Sequence, residues 1–490
     1  MKERSEPERP DDDLGPPGAR IEDPLLRSMP AGADREPTER RLRKKNLGGA
    51  DEAGAGGPPA GRISIEQARR AGPAGWLQIL GPGLITGASD DDPSGIGTYS
   101  QVGSQFGYAL GWTALVTFPL MAAVQELCSR IALHTGVGLG TALRRRFPAW
   151  LVGVCILALF VANTINVGAD LGAVAAGGSL LSRGAVPEPW LLAPVAAMVL
   201  GMELFLTYGT IFKIFKWLTL ALFAYVITGV IAHPDLMQLL SNSVVPHVQL
   251  SKDYMAALVA LLGTTISPYL FFWQASSEVD EMRAAGKRTE VDRHGVRTSE
   301  LRAARADILI GMFFSNLVMY FIIVTTAAVL HAHGRTEIQS ADQAAQALAP
   351  LAGQWAFVVF ALGMIGTGLL AIPILTGSAA YAVRDFLGLK GTLADRVAYR
   401  PTFYLIIAVS TLAGIGINLV GINPIRALFV TAIINGIVAP PLLALIVLLG
   451  SSRAVMGRRA SGRLSLVLTW ATTLLMGAAA IALLLTTAAG

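Results

Sequence analysis

Apolar residues run along this chain in long unbroken stretches separated by short polar connections. That spacing belongs to helices that cross a bilayer, not to the alternating strands or two-faced helices of a soluble domain. Eleven such stretches are legible, at about 77–104, 108–134, 150–181, 190–208, 211–232, 254–277, 306–331, 354–381, 402–419, 425–449 and 464–486. Two of them are interrupted. In the first, Asp90, Asp91 and Asp92 are followed directly by Pro93, Ser94 and Gly95; in the sixth, Pro268 breaks the run from Gly263 to Tyr269. Residues 1–75 show no apolar period and are rich in Pro, Gly, Asp, Glu and Arg, which predicts a disordered, cytoplasmic tail. No apolar core precedes a cleavage site there, so a signal peptide is not expected, and the basic block Arg40 to Lys45 is placed to touch anionic headgroups.

Composition agrees with the pattern: 53% of residues are hydrophobic and only 15% charged, which predicts an all-α polytopic membrane protein. The net charge of +5 does not point to nucleic acid, because the basic residues cluster in alternate connections between apolar stretches. These hold Arg144 to Arg146, Lys213 with Lys216, the arginines between Arg283 and Arg305, Arg384 to Arg400, and Arg453 to Arg463. The other connections carry little beyond Arg183, Lys252 and Arg335. The positive-inside rule then places the amino terminus in the cytoplasm and the carboxyl terminus outside; the expected location is the plasma (inner) membrane of a prokaryote. Cys128 and Cys155 both fall inside apolar stretches, which leaves neither a disulfide framework nor a zinc-type cluster.

The aspartate trio is the chemistry to explain. One Asp at the centre of a membrane helix costs about 2.5–3.5 kcal/mol on insertion scales, so three must face a polar cavity, neutralise, or hold a cation. Proline removes a backbone donor at the same point, so the helix breaks where the charge sits. Interrupted helices at corresponding places in two halves of a chain are the strongest sequence pointer to a transporter's substrate site. Two inverted repeats, spans one to five and six to ten, are therefore expected, with residues 76–450 as the transport core and 451–490 as a cytoplasmic connection and an eleventh helix. Consecutive helical side chains diverge by about 100°, so at most two of the three aspartates share one cavity. Asp92 is expected as the principal carboxylate, Asp91 or Asp90 as an accessory charge, and the carbonyls near Ser89 and Thr264 as neutral oxygens. The Ser267 hydroxyl either joins them or bonds back to its own helix.

These same residues resemble a known family. The run Gly81 to Gly95, GPGLITGASDDDPSG, is similar to the first-helix signature of the natural-resistance-associated macrophage protein (Nramp) family of divalent-metal transporters, which ends in Asp-Pro-Gly-Asn. Gln105 to Tyr108, Glu126 to Arg130 leading into His134-Thr135-Gly136, and Asp170 resemble it in order and spacing. The chain departs from the pattern at the metal site itself, where Gly95 stands for the family's Asn, Ser267 for its Met and Tyr269 for its His. Loss of a soft thioether favours Mg2+ and Mn2+ over softer metals, and two smaller side chains suggest a wider cavity that holds an ion with its waters. The resemblance therefore implies the Nramp-related magnesium branch. A tyrosine, with an ordinary pKa near 10, does not shuttle protons at neutral pH, so import of hydrated Mg2+ and Mn2+ without tight proton coupling is expected. The alternatives are proton-coupled Mn2+ or Fe2+ symport and an organic-solute carrier of the same fold.

The remaining polar residues in apolar stretches divide between structure and function. Glu126 and Arg130, spaced i and i+4, are expected to pair along one helix face. Asp170, near Asn163 and Asn166, is a candidate for an ion or proton route, and Asn435 lies where the family contributes a polar group. Glu203 and the His331-Ala-His333 run are expected to be structural and solvated respectively. The connection from Glu278 to Asp307 mixes both signs and predicts a solvated hinge, with an acidic vestibule at Glu278, Asp280 and Glu281 as its alternative. An enzyme is not expected: an intramembrane hydrolase needs a facing acid and a nucleophile or metal-binding motif that this chain does not offer. No cofactor and no obligatory protein partner are expected; the partners are the divalent cation, as substrate, and the bilayer.

Overall fold

The computed structural model describes residues 81–206, 210, 220–395, 397–418, 421 and 423–489. The expected tail, Lys213 and Lys216 lie outside them. The described residues form helices and connections with no strand. In chain order the helices that matter are α1 (Pro82–Asp90), α2 (Pro93–Phe106), α3 (Trp112–Thr135), α4 (Leu139–Arg146), α5 (Ala149–Leu181), α6 (Glu188–Phe205), α7 (Phe223–Ile231) and α8 (Leu236–Val244). They continue as α9 (Lys252–Thr265), α10 (Pro268–Ala284), α11 (Glu290–Arg293), α12 (Thr298–Val329), α13 (Ala356–Leu387), α14 (Pro401–Asn418), α15 (Pro424–Ser451) and α16 (Arg463–Ala489). Nine stretches among the described residues are long and apolar enough to cross a membrane, and they coincide with nine of the eleven expected spans. The other two are the broken pair α1–α2 and the fifth span, which is described only from Leu220 onward. Two further helices, α4 and α8, were not expected; α4 orders the basic connection after α3, and α8 turns away from α7 by 119°.

Both interruptions have the same backbone cause. Proline at the first helical position lacks only an N–H that has no partner there anyway, while it drives the residue before it out of the helical region. Asp92 accordingly adopts φ −66°, ψ 171° ahead of Pro93, and Ser267 adopts φ −71°, ψ 130° ahead of Pro268. Each span is thereby split into two half-helices.

Glycine lets these half-helices seat close to their neighbours. A Cβ at Gly87 would lie 2.3 Å from the Gly311 carbonyl oxygen of α12, and one at Gly263 would lie 2.1 Å from the Ala432 carbonyl oxygen of α15. In a bilayer, where lipid is as apolar as leucine, such close packing supplies much of the association between helices. Around this centre α5 packs along α13, α14 and α15, and α16 covers α15, α9 and α3. The amino end of α1 is held from α12. Asp307 accepts the Gly81 and Leu84 N–H groups on Oδ1 at 2.9 and 3.0 Å and the Gly83 N–H on Oδ2 at 2.8 Å. A carboxylate is the favoured partner for such unpaired helix-start donors.

The expected solvated hinge is thus solvated only in its middle, because its two ends are buried parts of the helix bundle. Asp307 is fully buried, and Glu278 is buried while accepting from Ser129 at 2.7 Å and Gln274 at 3.0 Å. The sequence places both residues among many exposed charges, so only their partners reveal the burial. Between them, Arg145 on α4 grips Glu290 on α11 with two hydrogen bonds, 2.5 and 3.0 Å long. That guanidinium holds the Glu290 carboxyl below the usual range. The neighbouring ion pairs are Arg283–Asp280 at 2.9 Å, Arg384–Asp385 at 2.5 Å and Arg400–Asp395 at 3.5 Å. Arg144 donates to the Phe386 carbonyl, and Arg459 donates to Thr298 at 2.9 Å. Basic connections far apart in sequence therefore meet on one face of the bundle.

Candidate functional site

Asp92 sits in the gap between α1 and α2 with 1% of its surface exposed. Its Oδ1 accepts the Ser94 hydroxyl and the Gly95 N–H, both at 2.7 Å, which makes it the cap of α2. Its Oδ2 accepts from the Asn166 side-chain amide of α5 at 3.2 Å and from the Tyr269 hydroxyl of α10 at 3.3 Å. All four donors are neutral. A buried carboxylate with two short capping bonds is a stable structural element by itself, but the other oxygen faces two different helices, which a cap does not require.

The trio divides. Asp90 is fully buried and Asp91 nearly so, and both turn toward α12, where the Ser315 hydroxyl lies 2.7 Å from Asp90 Oδ2 and 3.3 Å from Asp91 Oδ1. Asp92 lies past the break and points to α5 and α10 instead. Among the described residues no three His, Cys, Asp or Glu side chains are grouped as a metal-holding cluster, so the three aspartates are not a cage.

At the sixth-span break the hydroxyl of Ser267 is turned onto its own helix, donating to the Gly263 carbonyl at 2.9 Å and the Thr264 carbonyl at 2.7 Å. Of the two arrangements open to Ser267, the structure holds the helix-internal one. The Ser89 carbonyl accepts from Tyr269 at 2.9 Å, while the Ser89 hydroxyl donates to the Ile85 carbonyl at 2.6 Å. The wider cavity expected at Gly95 is not open in this conformation, because a Cβ there would meet Tyr99 Cε2 at 3.2 Å and the Asp90 carbonyl at 3.3 Å. Space freed by a missing side chain is taken up by its neighbours. The two breaks touch through the Ser94 and Thr264 hydroxyls, 3.3 Å apart.

Asp170 is fully buried on α5, one helical turn from Asn166, and within Coulombic range of Asp92. Neither of its carboxylate oxygens has a side-chain hydrogen-bond donor among the described residues; the backbone N–H of Ser94, at the start of α2, is the donor that faces it. Asn435 on α15 is buried with both amide atoms unpaired among the described residues, and no hydrogen bond joins it to Asp92. The outlying polar residues are structural ties. Glu126 pairs with Arg130 and accepts from Ser465 of α16 at 3.0 Å; Glu203 accepts from Thr376 and, at 3.5 Å, Thr411. His331 and His333 each place Nδ1 2.8 Å from a backbone carbonyl, Ser104 and Val329 respectively.

Sequence reasoning alone missed Ser94 and Ser315 as partners of the trio. Ser94 was legible in principle, since Ser two residues after an Asp-Pro break is positioned to bond that Asp. Ser315 carries no local signal, because it lies in the middle of an ordinary apolar span.

The Natural resistance-associated macrophage protein-like family model matches residues 83–486. The chain is 26% identical over 390 residues to a protein named divalent metal cation transporter MntH from Chromohalobacter salexigens, covering 78% of this chain and 85% of that one. It is also 26% identical over 404 residues to the MntH of Verminephrobacter eiseniae, covering 80% and 86%. In fold it is similar to the crystal structure of a manganese transporter from Eremococcus coleocola, with a TM-score of 0.66, 18% identity, and coverage of 84% of this chain and 87% of that one. These relatives are named as transporters, not as enzymes. A match that begins inside α1 and runs to the last turns of α16 takes in both broken helices, and the chain belongs to the Nramp family.

Proposed function

We propose that this chain carries divalent cations across the bilayer by alternating access, importing Mg2+ and, second, Mn2+ as partly hydrated ions. One observation carries the reading: Asp92 is buried at the meeting point of two broken helices and is held by neutral donors only. An anion so placed in a low-dielectric interior is costly, by several kcal/mol, unless a positive charge joins it. The names of the relatives support a divalent cation as that charge. Mg2+ fits because it sheds water reluctantly and is usually held through one or two carboxylates with several waters kept.

The residues divide the work. Asp92 is the principal ligand. Tyr269 occupies the Ser89 carbonyl in the present conformation, so moving its hydroxyl aside frees an oxygen for the ion or its water. Asn166 keeps Asp92 oriented, Ser94 and Thr264 bridge the two breaks, and Asp90 and Asp91 with Ser315 form a second acidic pocket beside the route. Ser267 keeps its hydroxyl on its own helix and Gly95 donates its N–H to Asp92, so neither serves as a ligand. The face gathering the basic connections is cytoplasmic, as are the amino terminus and the tail, with the carboxyl terminus outside. The core runs from about residue 76 to 450, followed by a connection and the last helix.

Tyr269 in place of a histidine removes the group best suited to shuttle protons, so uptake follows the ion's gradient and the membrane voltage. A second reading, proton-coupled Mn2+ symport, is favoured by Asp170, a fully buried carboxylate within Coulombic range of Asp92 and without a side-chain donor among the described residues. Proteoliposomes with an internal pH dye and a metal dye separate the two. Mg2+ influx without internal acidification is expected. Acidification in fixed proportion to metal would establish the second reading, and absence of any divalent flux would reject both.

A further inference from the structure

A cavity of about 840 Å3 opens on the face that gathers the basic connections, between α4, the end of α10, the turn around α11 and the segment after α13. It lies apart from the aspartate trio, and its size falls in the range of small-molecule sites. Its charge is the informative property. Four of its cations are matched by carboxylates, in the four ion pairs Arg145–Glu290, Arg283–Asp280, Arg384–Asp385 and Arg400–Asp395. Arg288, Arg293 and Lys390 also line it, and none of them has an ion-pair partner among the described residues. Arg293 is 6% exposed, and its guanidinium donates only to the backbone carbonyls of Gly136, Lys287 and Arg288. Burial and the nearby Arg283 pull it below the ordinary arginine range. Glu290, Asp280 and Asp292 lie within Coulombic range of it, but none of them forms an ion pair with it.

We propose that this cavity binds a phosphate-bearing anion, supplied either by a soluble cytoplasmic polyphosphate or by the headgroup of an anionic lipid. An excess of three positive charges calls for a multiply charged partner, and the planar guanidinium suits phosphate oxygens. Because the walls belong to three separate connections, those following α3, α10 and α13, an occupant there also ties α4, α10, α11 and α13 together.

The test uses the full-length protein in phosphatidylcholine nanodiscs, titrated with inorganic pyrophosphate by calorimetry. Saturable binding is expected, weakened at least about tenfold in the Arg288→Gln/Lys390→Gln variant, as loss of two charge-assisted contacts implies. Both residues are exposed, so folding is not at risk. The Arg453→Gln/Arg458→Gln variant, altered outside the cavity, should bind as the parent does. Repeating the titration with phosphatidylglycerol in the nanodisc assigns the source: unchanged affinity identifies a soluble anion, and suppressed affinity identifies the lipid headgroup. Absence of saturable binding in phosphatidylcholine, or equal affinity in the parent and the cavity variant, overturns the proposal.

Discussion

The first and sixth spans break by the same device, an extended residue followed by a helix-starting proline, yet they satisfy the freed groups in opposite ways. At the sixth break Ser267 returns its hydroxyl to its own helix, so the interruption is self-contained. At the first, Asp92 caps its own helix with one oxygen and draws donors from α5 and α10 with the other, while Asp90 and Asp91 reach to α12. One break is a shape. The other is a shape with a charge whose partners sit on three different helices, so whatever changes that charge is felt throughout the bundle. The sixth-span break reaches the first mainly through Tyr269, which touches both Ser89 and Asp92.

The largest effect is expected where that geometry depends on backbone contact. Gly263→Val puts a side chain 2.1 Å from the Ala432 carbonyl and 2.3 Å from the Gly436 nitrogen, so the sixth half-helix must leave its groove. The cost should reach or exceed about 3 kcal/mol, the top of the usual range for overpacking, and size-exclusion profiles should show loss of the folded-protein peak. Next comes Asp307→Ala, which strips three N–H groups at the start of α1 of their acceptor. A fall in stability of about 1–3 kcal/mol, read as a lower unfolding temperature in detergent, is expected, with Asp307→Asn falling between. Tyr269→Phe removes the hydroxyl that joins α10 to Ser89 and Asp92, leaving only the Ser94–Thr264 contact between the breaks, and should cost roughly 1 kcal/mol in stability while clearly lowering metal flux. Ser267→Ala is the smallest, near parental in both readouts. Equal flux loss in Ser267→Ala and Tyr269→Phe would erase the contrast between the breaks.

How much of this was legible follows from whether a residue's partner is local. Asp92 with Pro93, and Ser267 with Pro268, announce broken helices because proline acts on its immediate neighbours. The i, i+4 spacing likewise reveals the Glu126–Arg130 pair, which the structure contains. Asp307 and Glu278 were hidden for the opposite reason: they are tied to α1 and α3, more than a hundred residues away, and the charges around them look like a solvated loop. Size arguments at Gly95 failed because packing is collective, and Tyr99 fills what a smaller residue vacates. Composition shows that α4's connection is basic but not that it folds into a helix clasping α11.

The most direct measurement of the central claim is Mg2+ and Mn2+ influx into proteoliposomes containing the parent, Asp92→Ala or Ser267→Ala at matched protein density. The account predicts that Asp92→Ala loses flux of both ions while Ser267→Ala retains it. Parental flux of both ions through Asp92→Ala would contradict it.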